Sequence, residues 1–372
     1  MKYFGYNLIY PQIFFSCASI QKAKEFFKDK STVILITGKS ALKNGLQEKL
    51  EKILSDLQYF SLCGIVGEEA PLESVDAIVD FAKKKNADAI FAVGGGSIID
   101  AAKAASVVIT NGGKCSDFFF SKRKITKKGL FLIAVPTTAG TGAEITENSV
   151  LIEKATMIKK SIRGKELIPD IAIIDPELTF SCPSHISAQS GMDALVQAIE
   201  SFTSPESNTV SSLLAMKATK ILIENLPDAV LGKEDAKIST AEGSLLSGMA
   251  FSHTGLGAVH GLAHPIGAKC SLPHGRVCGI LMRTIFRENL KKINGLYDEL
   301  ARFCNCSDSE EFLNLLDKIS ERIGIPAKFA DSNLKDEDFN FIIKNCRSRS
   351  MERNPYQYSD DEINEILKKL FT

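Results

Sequence analysis

Four of the five histidines of this chain lie within 22 residues, at His253, His260, His264 and His274. Histidine supplies neutral nitrogen ligands and moves protons near neutral pH, and such residues gather at sites more than packing alone requires. His260, His264 and His274 therefore read as site residues, whereas His253 reads equally well as a core residue. Upstream, Ser190-Gly-Met-Asp193-Ala-Leu-Val-Gln197-Ala-Ile-Glu200 sets Asp193 and Gln197 four residues apart. On a helix the two share one face, about one turn apart, with Leu195, Val196 and Ile199 as its apolar side. An aspartate with two or three imidazoles is a ligand set for a divalent transition metal. The competing reading makes Asp193 a helix cap, a role that Ser190 fills equally well.

These residues need a scaffold. At 372 residues the chain is long for one core, which implies two domains. A 44% hydrophobic and 24% charged composition fits a soluble globular protein. The 45 basic and 45 acidic residues cancel. Lys83-Lys84-Lys85, Lys127-Lys128 and Lys159-Lys160 are short enough to be solvated faces, so neither nucleic acid nor a membrane surface is an expected partner. Residues 1–7 lack the apolar core and cleavage site of a signal peptide, and no uninterrupted apolar run reaches membrane-spanning length, so a cytoplasmic location is expected. Nine cysteines without a C-x-x-C pair favour reduced thiols over a disulfide framework. Cys304 and Cys306 have the wrong spacing for a zinc knuckle and read as structural.

The first half alternates strand and helix. Thr32–Thr37, Ala87–Val93, Gly129–Val135 and Ile171–Ile174 are expected strands, and 73–86 and 98–109 expected helices, with a further helix running from the Gly38–Gly45 turn to Leu54. This alternation argues for a mostly parallel sheet covered by helices. From about Ser187 the periodicity is helical: 188–202, 211–225, 235–252, 279–304, 309–323, 336–345 and 360–370. The boundary is expected within 176–187, dividing the chain into 1–183 (Rossmann-like α/β) and 184–372 (all-α).

Three turns could receive a dinucleotide. Gly94-Gly95-Gly96-Ser97, with Asp100 just beyond, follows a strand and opens a helix, where free N–H groups and the helix dipole suit a diphosphate. This is not G-x-G-x-x-G, and a plain tight turn is the competing reading. Thr137, Thr138, Thr141 and Gly142 lie in a loop at the carboxyl end of the next strand, the edge where open α/β sheets bind ligands. Gly38, Lys39 and Ser40 end the first strand without the acidic residue that would hold an NAD ribose. Lys39 and Ser40 could contact a 2′-phosphate, which favours NADP over NAD; otherwise Lys39 is a solvent-facing lysine.

Taken together, Gly94-Gly95-Gly96-Ser97, Pro136-Thr137-Thr138-Ala139-Gly140-Thr141-Gly142, Asp175-Pro176, Gly191-Met192-Asp193-Ala194-Leu195 and the run from His260 to Pro273-His274-Gly275 resemble the iron-containing (group III) alcohol dehydrogenases of the dehydroquinate synthase-like superfamily. The resemblance covers nearly the whole chain. It implies an α/β dinucleotide domain followed by a helical domain that carries the metal. Its ligand positions fall on Asp193, 197, His260 and His274, and His264 matches a histidine proposed to relay protons. Asp193 and His264 are thus the expected catalytic residues. The family has histidine at 197; this chain has Gln197, whose amide oxygen is a weaker donor.

The expected function is an NAD(P)-dependent alcohol dehydrogenase or aldehyde reductase with a divalent ion, iron or zinc, acting as a homodimer on a small alcohol or aldehyde bound between the domains near Phe251, His253 and His264. The alternatives are a metal-independent reductase, a glycerol or polyol-phosphate dehydrogenase, and a non-catalytic nucleotide-binding protein whose metal site has decayed at Gln197.

Overall fold

The computed structural model of the chain describes residues 8–67, 69–329, 334 and 336–371. The reading of residues 1–7 lies outside the described residues. Close contacts divide the chain into two compact units, residues 1–136, 143–151 and 161–175 in the first, and 137–142, 152–160 and 176–372 in the second.

The first unit is built on a six-stranded parallel sheet. Its strands are β1 (Gln12–Phe15), β2 (Val33–Thr37), β3 (Tyr59–Cys63), β4 (Ala89–Gly94), β5 (Phe131–Pro136) and β8 (Ile171–Ile174), in the order β1-β8-β5-β4-β2-β3. β6 (Asn148–Glu153) and β7 (Ile158–Arg163) form a separate two-stranded ladder. The helices are α1 (Ala23–Phe26), α2 (Lys39–Lys43), α3 (Leu46–Ile53), α4 (Leu72–Lys84), α5 (Gly96–Asn111) and α6 (Cys115–Phe119). β2, β4 and β8 are buried along their whole length. That burial explains why strands covered on both faces read as unbroken apolar runs. β1 and β3 sit at the two edges and are only half-buried along most of their length. Their sequences lack such a run, and these strands were not expected. Among the described residues no helix is long and apolar enough to cross a membrane.

The second unit is helical: α7 (Ser184–Thr203), α8 (Thr209–Val230), α9 (Glu234–Thr254), α10 (Ala258–Cys270), α11 (His274–Lys292), α12 (Asp298–Phe303), α13 (Ser309–Arg322), α14 (Asp336–Cys346), α15 (Arg349–Glu352) and α16 (Asp360–Phe371). Its core gathers Met192, Leu195, Leu262, Val277, Leu281 and Phe312. Cys304 and Cys306 are buried in that core, and all nine cysteines are free thiols.

Two helix expectations are corrected. The histidine run forms α10, which the Gly- and Pro-rich sequence disguised; Pro265 lies inside it, and Ser271 ends it in the left-handed region. The single helix expected over 279–304 starts earlier, at His274 behind Pro273, and is interrupted after Lys292. Gly295, with φ +71°, lies in that interruption.

α7 is fully sequestered from Gly191 to Ser201. The segment leading into it is tied down by Lys237 of α9. This buried ammonium donates to the carbonyls of Thr179 (3.0 Å), Phe180 (2.8 Å) and Cys182 (3.1 Å). A buried lysine with three acceptors satisfies its donors in full.

Candidate metal and catalytic site

Asp193 lies in the middle of α7, one turn before Gln197, and both are buried. The cap readings for Asp193 and Ser190 therefore fall: the helix starts at Ser184, and the Ser190 hydroxyl donates to the Ile186 carbonyl at 2.8 Å. From α10, His260 brings Nε2 to 3.0 Å from Asp193 Oδ1. From the first residue of α11, His274 brings its Nε2 to 3.7 Å from the same oxygen. Cys278, one turn further along α11, places Sγ 3.8 Å from His260 Nε2 and 3.6 Å from His274 Nε2. One donor atom from each of Asp193, His260, His274 and Cys278 falls within 4.8 Å of the others.

Glu200, at the far end of the same α7 face, completes the arrangement. Its Oε2 lies 2.6 Å from His260 Nδ1, and its Oε1 accepts the backbone N–H of Val259 at 2.7 Å. A carboxylate cannot donate, so Nδ1 carries the proton and Nε2 is the nitrogen turned toward Asp193. A carboxylate behind a ligating imidazole fixes its ring and raises its basicity. Beside Glu200, Asn354 Oδ1 accepts the Ala258 N–H at 3.1 Å and exchanges hydrogen bonds with Asn289. Two acceptors from distant segments thus close the amino end of α10 and fix where His260 emerges.

The electrostatics divide the two imidazoles. Burial works to lower the His260 pKa, but Cys278, Glu200 and the Asp193 hydrogen bond outweigh it and hold it well above the ordinary imidazole value. The carboxylates carry this effect, because burial pushes the Cys278 thiol up to about 12 and leaves it uncharged. Burial, then the charges of Lys159, His264 and His260, hold His274 well below the ordinary value, so it is a neutral imidazole. Lys159, expected on a solvated face, is half-buried and acts on His274. His264 stacks on His274, with centroids 5.1 Å apart and planes at 18°. His253 lies in the last turn of α9.

The residues fit a cation. Gln197 Oε1 is a buried acceptor without a hydrogen-bond partner. Buried polar atoms are normally satisfied, and an ion is one explanation for an orphaned acceptor. A carboxylate and two imidazoles are hard and borderline donors of the kind that hold divalent transition metals.

Residues 11–176 match the sequence profile of iron-containing alcohol dehydrogenases, and residues 187–371 match the C-terminal profile of the same family. The chain belongs to the iron-containing alcohol dehydrogenase family. It is an oxidoreductase acting on CH–OH groups. Alcohol dehydrogenase 4 of Schizosaccharomyces pombe is 30% identical, over 91% of this chain and 82% of the relative. The NAD-dependent methanol dehydrogenase of Bacillus methanolicus is 31% identical, over 78% of this chain and 79% of the relative. The crystal structure of sulfoacetaldehyde reductase from Bifidobacterium kashiwanohense in complex with NAD+ superposes with a TM-score of 0.92 at 28% identity, covering 99% of both chains.

In this member of the iron-containing family the three turns expected to receive a dinucleotide fall as follows. Gly94 ends β4, Gly95 precedes α5, and Gly96 and Ser97 form its first turn. A side chain at Gly94 would meet Ile98 at 2.7 Å, so the close strand–helix approach alone requires glycine there. Asp100 is buried one turn further on. Gly38 precedes α2, with Lys39 and Ser40 exposed in its first turn. Register pairs Thr37 with Val93 and Gly94 with Pro136, so the turns after β2 and β4 leave the same carboxyl edge of the sheet. The loop after β5 packs in the second unit: Gly142 has φ +60°, and a side chain there would meet Gly248 Cα at 2.9 Å. Thr137 and Thr138 are half-buried and Thr141 is exposed.

Glu200 and Cys278 escaped the sequence reading. The signal for Glu200 was present, since residues seven apart on a helix share a face with the one between them. Cys278 sits one turn beyond His274, yet alone it looks like any core cysteine.

Proposed function

We propose that this chain is an NAD(P)-dependent alcohol dehydrogenase or aldehyde reductase whose divalent ion, iron or zinc, is held by Asp193, His260 and His274, with Gln197 or water beside them. The observation that carries this reading is the convergence of three donors from α7, α10 and α11, those of Asp193 and His260 buried and that of His274 half-buried, with His260 braced by Glu200. A divalent ion at such a site supplies a Lewis acid for the carbinol or carbonyl oxygen. Asp193 neutralises part of the charge brought into this buried place. Glu200 keeps the His260 ring turned so that Nε2 faces the cluster. His264, stacked on His274, is our candidate for passing the substrate proton to solvent.

Gly94, Gly95, Gly96, Ser97 and Asp100 are proposed to receive the dinucleotide at the start of α5, together with Thr137, Thr138, Thr141 and Gly142. Its nicotinamide carries the hydride chemistry, and the protein supplies position. Gly38, Lys39 and Ser40 are proposed to admit NADP(H) and favour it. The B. methanolicus relative is named NAD-dependent and the bifidobacterial reductase was solved with NAD+, so this preference rests on the residues of this chain alone. We further propose division at 183/184, a homodimer in the cytoplasm, and a small alcohol or aldehyde as substrate.

The test is metal analysis of freshly purified protein together with NADPH and NADH oxidation over a panel of short aldehydes. About one ion per chain and turnover lost on chelation are expected. Full turnover in exhaustively chelated protein would overturn the metal and favour the metal-independent alternative.

A further inference from the structure

We propose that Cys278 is a ligand of the same ion, its thiolate supplying the donor that Gln197 cannot match. The inference rests on the metal reading above and adds a residue to it.

Bonds of about 2.0–2.1 Å to nitrogen or oxygen and about 2.3 Å to sulfur give a regular tetrahedron edges of about 3.3 Å between nitrogen and oxygen donors and about 3.6 Å between nitrogen and sulfur. The observed nitrogen–oxygen separations are 3.0 and 3.7 Å, from His260 and His274 to Asp193. The observed nitrogen–sulfur separations are 3.6 and 3.8 Å, from His274 and His260 to Cys278. The sulfur thus faces the same two nitrogens that face the aspartate, at separations an ion bound by all of them would set, and the four donor atoms lie within 4.8 Å of one another around one site. Cys278 is placed there by local structure, because it follows His274 by one turn on α11 and shares its face. On binding, the thiol loses its proton to solvent and the sulfur–metal bond forms, with no change of oxidation state.

The chemistry has a direction. Gln197 offers a neutral amide oxygen, a weak donor for a transition metal, whereas thiolate is a strong and soft one. A sulfur ligand biases the site toward zinc or cobalt and away from ions that prefer oxygen.

Cobalt reports on sulfur directly. Metal-free full-length protein titrated with Co(II) is expected to develop a thiolate-to-cobalt charge-transfer band in the near ultraviolet, saturating at one equivalent. Cys278→Ser is expected to lose that band and to bind cobalt about tenfold or more weakly. If cobalt binds at one equivalent with visible d–d bands alone, Cys278 is not a ligand and the metal reading stands. If the band persists in Cys278→Ser, another cysteine is the donor and the proposal fails. If no cobalt or zinc binds, both readings fall. Should the variant not fold, X-ray absorption of zinc-loaded wild-type protein decides: one sulfur at about 2.3 Å supports the proposal, and a shell of nitrogen and oxygen alone overturns it.

Discussion

Glu200 holds His260 twice, once through the ring and once through the backbone beside it. One carboxylate oxygen takes the Nδ1 hydrogen at 2.6 Å, and the other takes the Val259 N–H at 2.7 Å. A single side chain 60 residues away in sequence thus bears on both ring orientation and helix placement. Glu200→Gln removes the charge while leaving an acceptor for one of the two donors. Metal affinity should fall about 10–100-fold, as is usual when the carboxylate behind a ligating histidine is lost. Glu200→Ala should also cost about 1 kcal/mol of stability through the lost cap. Chelator competition and thermal melts measure the two effects separately. An unchanged metal affinity in Glu200→Gln would show that the His260 ring needs no brace.

Gln197→His adds an imidazole one turn after Asp193, where the amide oxygen is now buried without a partner. Tighter binding of zinc in a chelator competition is expected, by about tenfold or more. Affinity equal to that of the parent protein would mean that position 197 does not face the ion.

Gly38→Asp tests cofactor choice without disturbing the fold. The backbone there, φ −84° and ψ 165°, suits any residue. An added Cβ would find only ordinary contacts, 3.7 Å to Ser40 Oγ and 3.8 Å to Ile98. The new carboxylate should repel a 2′-phosphate and accept the ribose hydroxyls of NAD. The ratio of kcat/KM for NADPH over NADH should fall by about tenfold or more, corresponding to about 1–3 kcal/mol of lost charge-assisted contact. Parent protein that already prefers NADH would overturn the preference itself.

Glu144 gives a pH signature in the first unit. Burial holds its carboxyl up at about 6 against an ordinary 4.5, with its own backbone and Lys103 working the other way. The folded state keeps this proton longer than the unfolded chain does. Stability should therefore decline as pH rises from 4.5 to 6, and the cost is constant above that window. Glu144→Gln should abolish this decline, gaining about 2 kcal/mol on the parent between the two ends. Urea midpoints at the two ends of the window decide it; parallel curves for both proteins would contradict the assignment.

How much of this was legible depends on where each residue's role is fixed. β2, β4, β5 and β8 are internal to the sheet, and their unbroken Ile, Val and Ala runs announce them. β1 and β3 are edges, so half of each strand is free to be polar and the run disappears. Asp193, His260 and His274 were visible because their chemistry is rare in a core. Glu200 shares the Asp193 face of its helix, a weaker mark than histidine, and Cys278 was hidden, because a cysteine in an apolar face is ordinary until tertiary structure sets it beside His260. α10 was hidden by its own glycines and Pro265, which local propensity counts against a helix but a buried core overrides.

Asn354 carries a consequence for how the protein is made. Its side chain closes the start of α10 through Ala258 and is locked by Asn289, whose own oxygen also receives the Tyr358 hydroxyl at 2.7 Å. A ribosome delivers residue 354 nearly a hundred positions after the helix it secures. Through that interval water stands in for Asn354 on the Ala258 N–H, and this corner of the histidine helix takes its final form once the late segment has been made.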